Sequence, residues 1–420
     1  MTHPVRTALA AVALTLTAAG CANPAMLPGG PNTLRIAVSS SDRPALQAVA
    51  DRFQAQHPGT RVSVFSADTD QYQITLRTQF TAGNAPDVVF AWPGEGNPAA
   101  VSTLARAGYL VDLSGAEWVR RVPANLRPML GVEGRTYLAP TIFAGIGAIY
   151  NQRTMDQLRL TAPRTWSQLL AFCDTARAHG KVAFALGNQT AWVTQLVDYA
   201  LVATTVYGDN PRFDAELAAG RTSFAASGWR TAMEKYLQLN ARGCFSPNPN
   251  GVSFESANRQ LGTGRAVAAV QVTAVLGQIQ QSAPPGTRFG MFALPATDQP
   301  ERTRMPGALG GGFAINAASP NQALARQFVD YLVRPAVVAE YARVSAALPA
   351  IPDDTFRADP AFATFRTFQK TGRTVEFMDQ HWPNAKVQQT HFAVVQDLFA
   401  GKTTVPAALA RMDHVYQHGK

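Results

Sequence analysis

The chain has 420 residues, of which 46% are hydrophobic and 15% charged, and it carries a formal net charge of +9. That length exceeds one core of ordinary size and suits two lobes. The positive charge comes mostly from scattered Arg, whose longest run is the pair Arg120–Arg121; with no Lys/Arg cluster interleaved with aromatics, nucleic-acid binding is set aside, and a solvated surface near an anionic bilayer accounts for the charge.

Residues 1–20 read as a signal peptide. Arg6 supplies the positive start, residues 8–16 a short apolar core, and Ala18, Ala19 and Gly20 lead into Cys21. The apolar run is too short to span a bilayer permanently. Ala-Ala-Gly-Cys resembles a bacterial lipobox, although Ala18 stands where such signals prefer Leu. That resemblance implies that Cys21 is lipidated and becomes the mature N-terminus. A plain secretory signal is the alternative. Each buried CH₂ of an acyl chain contributes roughly 0.8 kcal/mol, so several chains hold a protein firmly at a membrane surface. Residues 21–32 are Pro/Gly-rich and read as a tether.

Three strands follow at 33–38, 61–65 and 87–90, separated by amphipathic helices at 45–53 and 71–82. Strand–helix–strand alternation predicts parallel pairing with right-handed crossovers. Ligands of such sheets sit beyond the carboxyl ends of the strands, here at 39–42 and 92–95. A helix over 99–107 comes next, then a glycine-punctuated apolar strand over 141–150 that is expected to cross between lobes. Thr165 caps a helix over 167–178. Strands at 182–186, 264–273 and 290–295 alternate with helices at 192–206, 227–239 and 254–261. Four glycines between 307 and 312 read as a loop, followed by a buried strand at 313–315. Ser319 and Pro320 read as N-cap and first residue of the next helix. Helices fill most of 321–345 and 387–415, and 346–352 reads as a return crossing.

After removal of the signal only Cys173 and Cys244 remain free to pair. Outside the cytoplasm such a pair favours a disulfide, with two buried thiols as the alternative. The sequence has no Gly-x-Ser-x-Gly, His-Glu-x-x-His, Cys-x-x-Cys or phosphate-binding glycine loop with Lys, and its histidines are scattered. No metal, cofactor or catalytic residue is expected.

Six stretches in order carry a family resemblance: GNAPDVV (83–89), GYLVDL (108–113), YLAPTIFAGIGAIYN (137–151), PRTW (163–166), GRAVA (264–268) and FAINAASP (313–320). Behind the lipobox, they make the chain resemble the extracellular solute-binding lipoproteins of ABC importers, in the sugar and oligosaccharide cluster. The resemblance covers nearly the whole mature chain. It implies an α/β, two-lobe periplasmic-binding-protein-like fold of type II, with the ligand cleft between lobes joined by hinge crossings. The first lobe would comprise 33–139 and 313–348, the second 140–312 and 349–420. It implies a monomer with no enzymatic activity. Such a protein captures a carbohydrate outside the cell, lipid-anchored to the outer face of the cytoplasmic membrane, and hands it to the ABC permease subunits.

A sugar presents hydroxyls and an apolar ring face, so its site needs aromatics for stacking and polar side chains for paired hydrogen bonds. Candidates at the expected strand ends are Ser41, Asp42, Trp92, Glu95, Asn188, Gln189, Trp192, Gln271 and Thr273. Phe143 lies in a crossing, Gly311 and Gly312 in the glycine loop, and Trp382 in a late loop. Each has a plainer reading: helix cap for Asp42, solvated charge for Glu95, core aromatic for Trp92 or Trp192. Maltodextrin-binding members carry a Trp after Asn-Gly-Pro where this chain has Val272, Thr273 and Ala274, so maltose-type specificity does not follow. Arg43 and Arg373 keep a glycerophosphodiester or other phosphorylated solute open.

Overall fold

In a computed structural model, residue 30 and residues 32–353 and 355–419 are described. The segment read as a signal peptide, Cys21, and all of the segment read as a tether but residues 30 and 32 lie outside them. The strands, in chain order, are β1 (Thr33–Ser39), β2 (Arg61–Ala67), β3 (Val88–Ala91), β4 (Gly131–Val132), β5 (Arg135–Thr136), β6 (Ala139–Asn151), β7 (Val182–Phe184), β8 (Ala266–Val272), β9 (Phe289–Phe292), β10 (Met305–Ile315), β11 (Leu348–Pro349) and β12 (Thr374–Val375).

All but β4 and β5 join one curled sheet, whose main path runs β2-β1-β3-β10-β6-β8-β7. β1 pairs in parallel with both β2 and β3. Helices Arg43–Gln56 and Thr69–Thr81 supply the crossovers. β1 is buried at six consecutive residues because helices cover both faces of its sheet. β7 and β8 pair in parallel, and β9 and β8 both run antiparallel to β6.

β6 joins the two halves. Residues 139–145 pair with β10, and residues 146–151 pair with β8 and β9. β11, in the segment expected to return between lobes, adds to β6 at Phe143 and Ile142. The glycine-rich segment before Phe313 is not a loop. It continues β10 without a break, with register shifts around Gly311. Its glycines answer to packing: a Cβ on Gly311 would fall in the Phe90 ring, and one on Gly312 would meet the Ala139 carbonyl. Glycine is therefore selected for closeness between strands rather than for turning.

Ser319 does not cap the following helix. That helix runs Gln322–Leu332 with Asn321 before it. The Ser319 hydroxyl instead donates to the buried Asp87 carboxylate at 2.7 Å, and Asp87 also accepts from the Arg35 backbone N–H at 2.7 Å. This ties the end of β10 to β1 and β3. Elsewhere the caps follow the sequence: Thr165 accepts from the Gln168 N–H at the start of helix Trp166–Ala178. Cys173 in that helix is disulfide-bonded to Cys244, with Cα atoms 5.0 Å apart. Among the described residues, no helix is long and apolar enough to cross a membrane.

Candidate functional site

A cavity of about 130 Å³ lies where the two halves of the sheet face each other. Its floor is the crossing strands, through Ile142, Ala144 and Ile146 of β6 and Gly310 of β10. Alternation along β6 sends Phe143 to the opposite face. There it stacks on Phe365, ring centroids 6.0 Å apart, beside a second, more polar cavity of about 590 Å³.

One wall comes from the ends of β1 and β3 and from helix Thr69–Thr81. Ser41 and Asp42 occupy the turn after β1, and Gln73 projects from the helix. Asp42 does not use its side chain as a cap. One carboxylate oxygen accepts from the Ser39 and Ser41 hydroxyls at 2.7 and 2.9 Å, and the other faces the Tyr341 hydroxyl at 3.4 Å. Burial pushes this carboxyl above the ordinary aspartate range, against those three hydrogen bonds. Trp92 follows β3, half-buried, edge-on to Phe90 at 5.0 Å.

The facing wall comes from the other half. Trp192 stands in the 3₁₀ turn Ala191–Thr194, packed on Phe254 at 5.0 Å. Gln195 and Tyr199 follow on helix Gln195–Val202, and Gln388 and Phe392 on helix Ala385–Phe399. The Asn97 amide donates to Gln388, which donates to Gln195 at 3.2 Å, so a chain of amides runs across the cleft. Asp379 and Gln380 come from the 3₁₀ turn Met378–His381. Burial raises the Asp379 carboxyl to about 6, against the Tyr199 hydroxyl beside it. Behind Tyr199, His391 stacks on its ring and pairs with the buried Asp198 at 2.9 Å.

Four sequence candidates, Ser41, Asp42, Trp92 and Trp192, thus meet in one cavity. The others are placed elsewhere. Glu95 is held by Arg106, and Phe143 is on the opposite face. Asn188 is fully buried, taking a 3.4 Å contact from the Tyr236 hydroxyl, while Gln189 is exposed. Gln271 is buried against Asn258, and Thr273 accepts from the Gly145 N–H within the crossing. Gly311 and Gly312 pack strand on strand; it is Gly310 that reaches the cavity. Trp382 is sealed among Trp229, Phe224, Tyr199 and His391 in an aromatic core. The Arg candidates for a phosphate are also away from the cleft. Arg43 donates to Ser66, and Arg373 to the Pro300 and Thr303 carbonyls. Sequence reading missed Gln73, Tyr199, Gln388 and Asp379. Only Asp379, three residues before Trp382, stood near a segment already singled out.

Among the described residues no group of three His, Cys, Asp or Glu could hold a metal ion. The arrangement offers aromatic faces, amides and carboxylates around a confined space, which suits binding.

Residues 37–339 match the family described as bacterial extracellular solute-binding protein. The chain is 20% identical over 343 residues to the multiple sugar-binding protein of Streptococcus mutans, covering 80% of this chain and 79% of that one. In fold it is similar to a chitin oligosaccharide binding protein, with a TM-score of 0.77, 21% identity and coverage of 92% of this chain and 98% of the other. It is likewise similar to RafE in complex with raffinose, with a TM-score of 0.76, 20% identity and coverage of 91% and 99%. The two-lobe α/β fold of these binding proteins is the fold of this chain.

Proposed function

The chain belongs to the bacterial extracellular solute-binding proteins of ABC importers, and from that premise we propose that its cleft captures a mono- or oligosaccharide and delivers it to a membrane permease without altering it. The observation that carries this reading is that Trp92 and Trp192, from different halves of the sheet, line one cavity together with the amides of Gln73, Gln195 and Gln388. Indole faces stack on the apolar face of a sugar ring, while amides and carboxylates pair with its hydroxyls. We take the first lobe as residues 33–139 and 313–348 and the second as 140–312 and 349–420. The crossings β6, β10 and β11 then act as the hinge about which the lobes close over ligand. Lipidation at Cys21 holds the protein on the outer face of the cytoplasmic membrane, within reach of the permease.

Isothermal calorimetry or thermal shift against a carbohydrate panel tests this. Binding is expected to raise stability by RT ln(1 + [L]/Kd), roughly 2.7 kcal/mol at a hundredfold excess over Kd. Absence of a shift with every carbohydrate overturns the reading.

A further inference from the structure

Resting on the sugar reading above, we infer that the ligand of this cleft is a cationic amino sugar, a saccharide carrying a protonated amine that meets the carboxylates of Asp42 and Asp379. Both side chains line the cavity, Asp42 from the turn after β1 and Asp379 from the turn Met378–His381. Both residues are 8% exposed. Among the described residues, no Lys, Arg or His lines this cleft.

The side chains hydrogen-bonded to Asp42, and the hydroxyl beside Asp379, are neutral. Asp42 accepts from the hydroxyls of Ser39, Ser41 and Tyr341, and Asp379 sits beside the Tyr199 hydroxyl. His381 and His391 also act on Asp379 as positive charges, but less than burial does, and each is hydrogen-bonded to a carboxylate of its own, His381 to Glu376 at 2.5 Å and His391 to Asp198 at 2.9 Å. A hydroxyl fills a lone pair but leaves the charge. A desolvated carboxylate without an opposite charge is costly, and a charge-assisted bond is roughly twice as strong as a neutral one.

An independent feature points the same way. Gln380, 4% exposed and lining the cleft, donates its amide N–H to the Leu309 carbonyl at 2.8 Å, while its own Oε1 is buried with no donor. Around the cleft there are therefore one acceptor without a donor and two buried carboxylates that no cation lining the cleft balances. An ammonium group, with three donors, no acceptor and one positive charge, complements both.

Calorimetry with matched pairs differing only in amine against hydroxyl tests this: glucosamine and glucose, galactosamine and galactose, diglucosamine and cellobiose. The amino member of the best-bound pair is expected to bind at least about tenfold tighter, and its N-acetylated form to lose that advantage. Asp42→Asn and Asp379→Asn should each bring the ratio towards one. Because the wild-type comparison needs no variant, a poorly folding substitution does not blunt it. A neutral or N-acetylated sugar that binds as tightly as its amine overturns this inference and leaves the sugar reading standing. Spermidine binding more tightly than any amino sugar overturns the saccharide part. If no sugar of either kind binds, the sugar reading falls and the inference falls with it.

Discussion

Gly96 packs so closely on Asp379 that a Cβ at position 96 would overlap the Asp379 carbonyl oxygen. Gly94 meets the Gln380 carbonyl in the same way, and the Glu95 N–H donates to it at 3.2 Å. The loop after β3 is thus pressed onto the turn that brings Asp379 into the cleft. Gly96→Ala is expected to cost about 1–3 kcal/mol by overpacking against a backbone atom that cannot rotate away. Urea denaturation measures it; an unchanged midpoint would show that loop and turn part in solution.

Asp379 predicts a pH dependence. Its carboxyl is raised to about 6 from 3.8, first by burial. The groups facing it are Tyr199 and Tyr207 from one side, His391 from helix Ala385–Phe399 and His381 from its own turn. Between those two values the folded state holds a proton that the unfolded state has lost, so stability falls as pH rises through the window. Above about 6 the whole penalty applies, on the order of 2–3 kcal/mol; below about 4 it is absent. Asp379→Asn should therefore be more stable than wild type at pH 7.5, with the gap closing by pH 4. Paired denaturation curves at those two pH values decide it, and a constant gap rejects it.

Trp92→Ala and Trp192→Ala should each weaken binding of the best sugar ligand by roughly 1–3 kcal/mol, since each removes a stacking face from the cavity. Trp382→Ala acts on a different quantity. Its ring is enclosed by other aromatics, so the expected loss is about 3–5 kcal/mol of folding stability. Calorimetry for the first two and denaturation for the third separate the roles.

The Cys173–Cys244 bond closes a loop of 71 residues. Chain entropy assigns such a loop about 4 kcal/mol. Cys173→Ala with Cys244→Ala should lose up to that amount. A reductant should lower the wild-type midpoint and leave the double variant's midpoint unmoved.

Much of the scaffold was legible from local pattern. The run 33–38 followed by an amphipathic helix and a second strand became β1, helix Arg43–Gln56 and β2. Glycine misled the reading of 307–312, because its usual meaning, a turn, competes with a rarer one, close strand contact, that only Phe90 and Ala139 reveal. Trp382 next to Pro383 looked like a loop aromatic, whereas partners more than 150 residues away in sequence, Trp229 and Phe224, bury it. The cleft was half visible. Strand ends pointed to Asp42 and Trp92. Gln73, Tyr199 and Gln388 lie within helices, and which face of a helix meets a cleft is fixed by tertiary packing that no local period encodes.

β6 has one further consequence, for how this protein can change over evolutionary time. Because Ile142, Ala144 and Ile146 face the cavity while Phe143 faces away, inserting or deleting a single residue between 139 and 142 would exchange the two faces. A phenyl ring would then fill the ligand space, and the pairing of β6 with β10 would slip out of register. Descendants of this sequence can therefore retune the cavity floor by substitution at 142, 144 and 146, but not by changing the strand's length. Changes in length are confined to the loops around it.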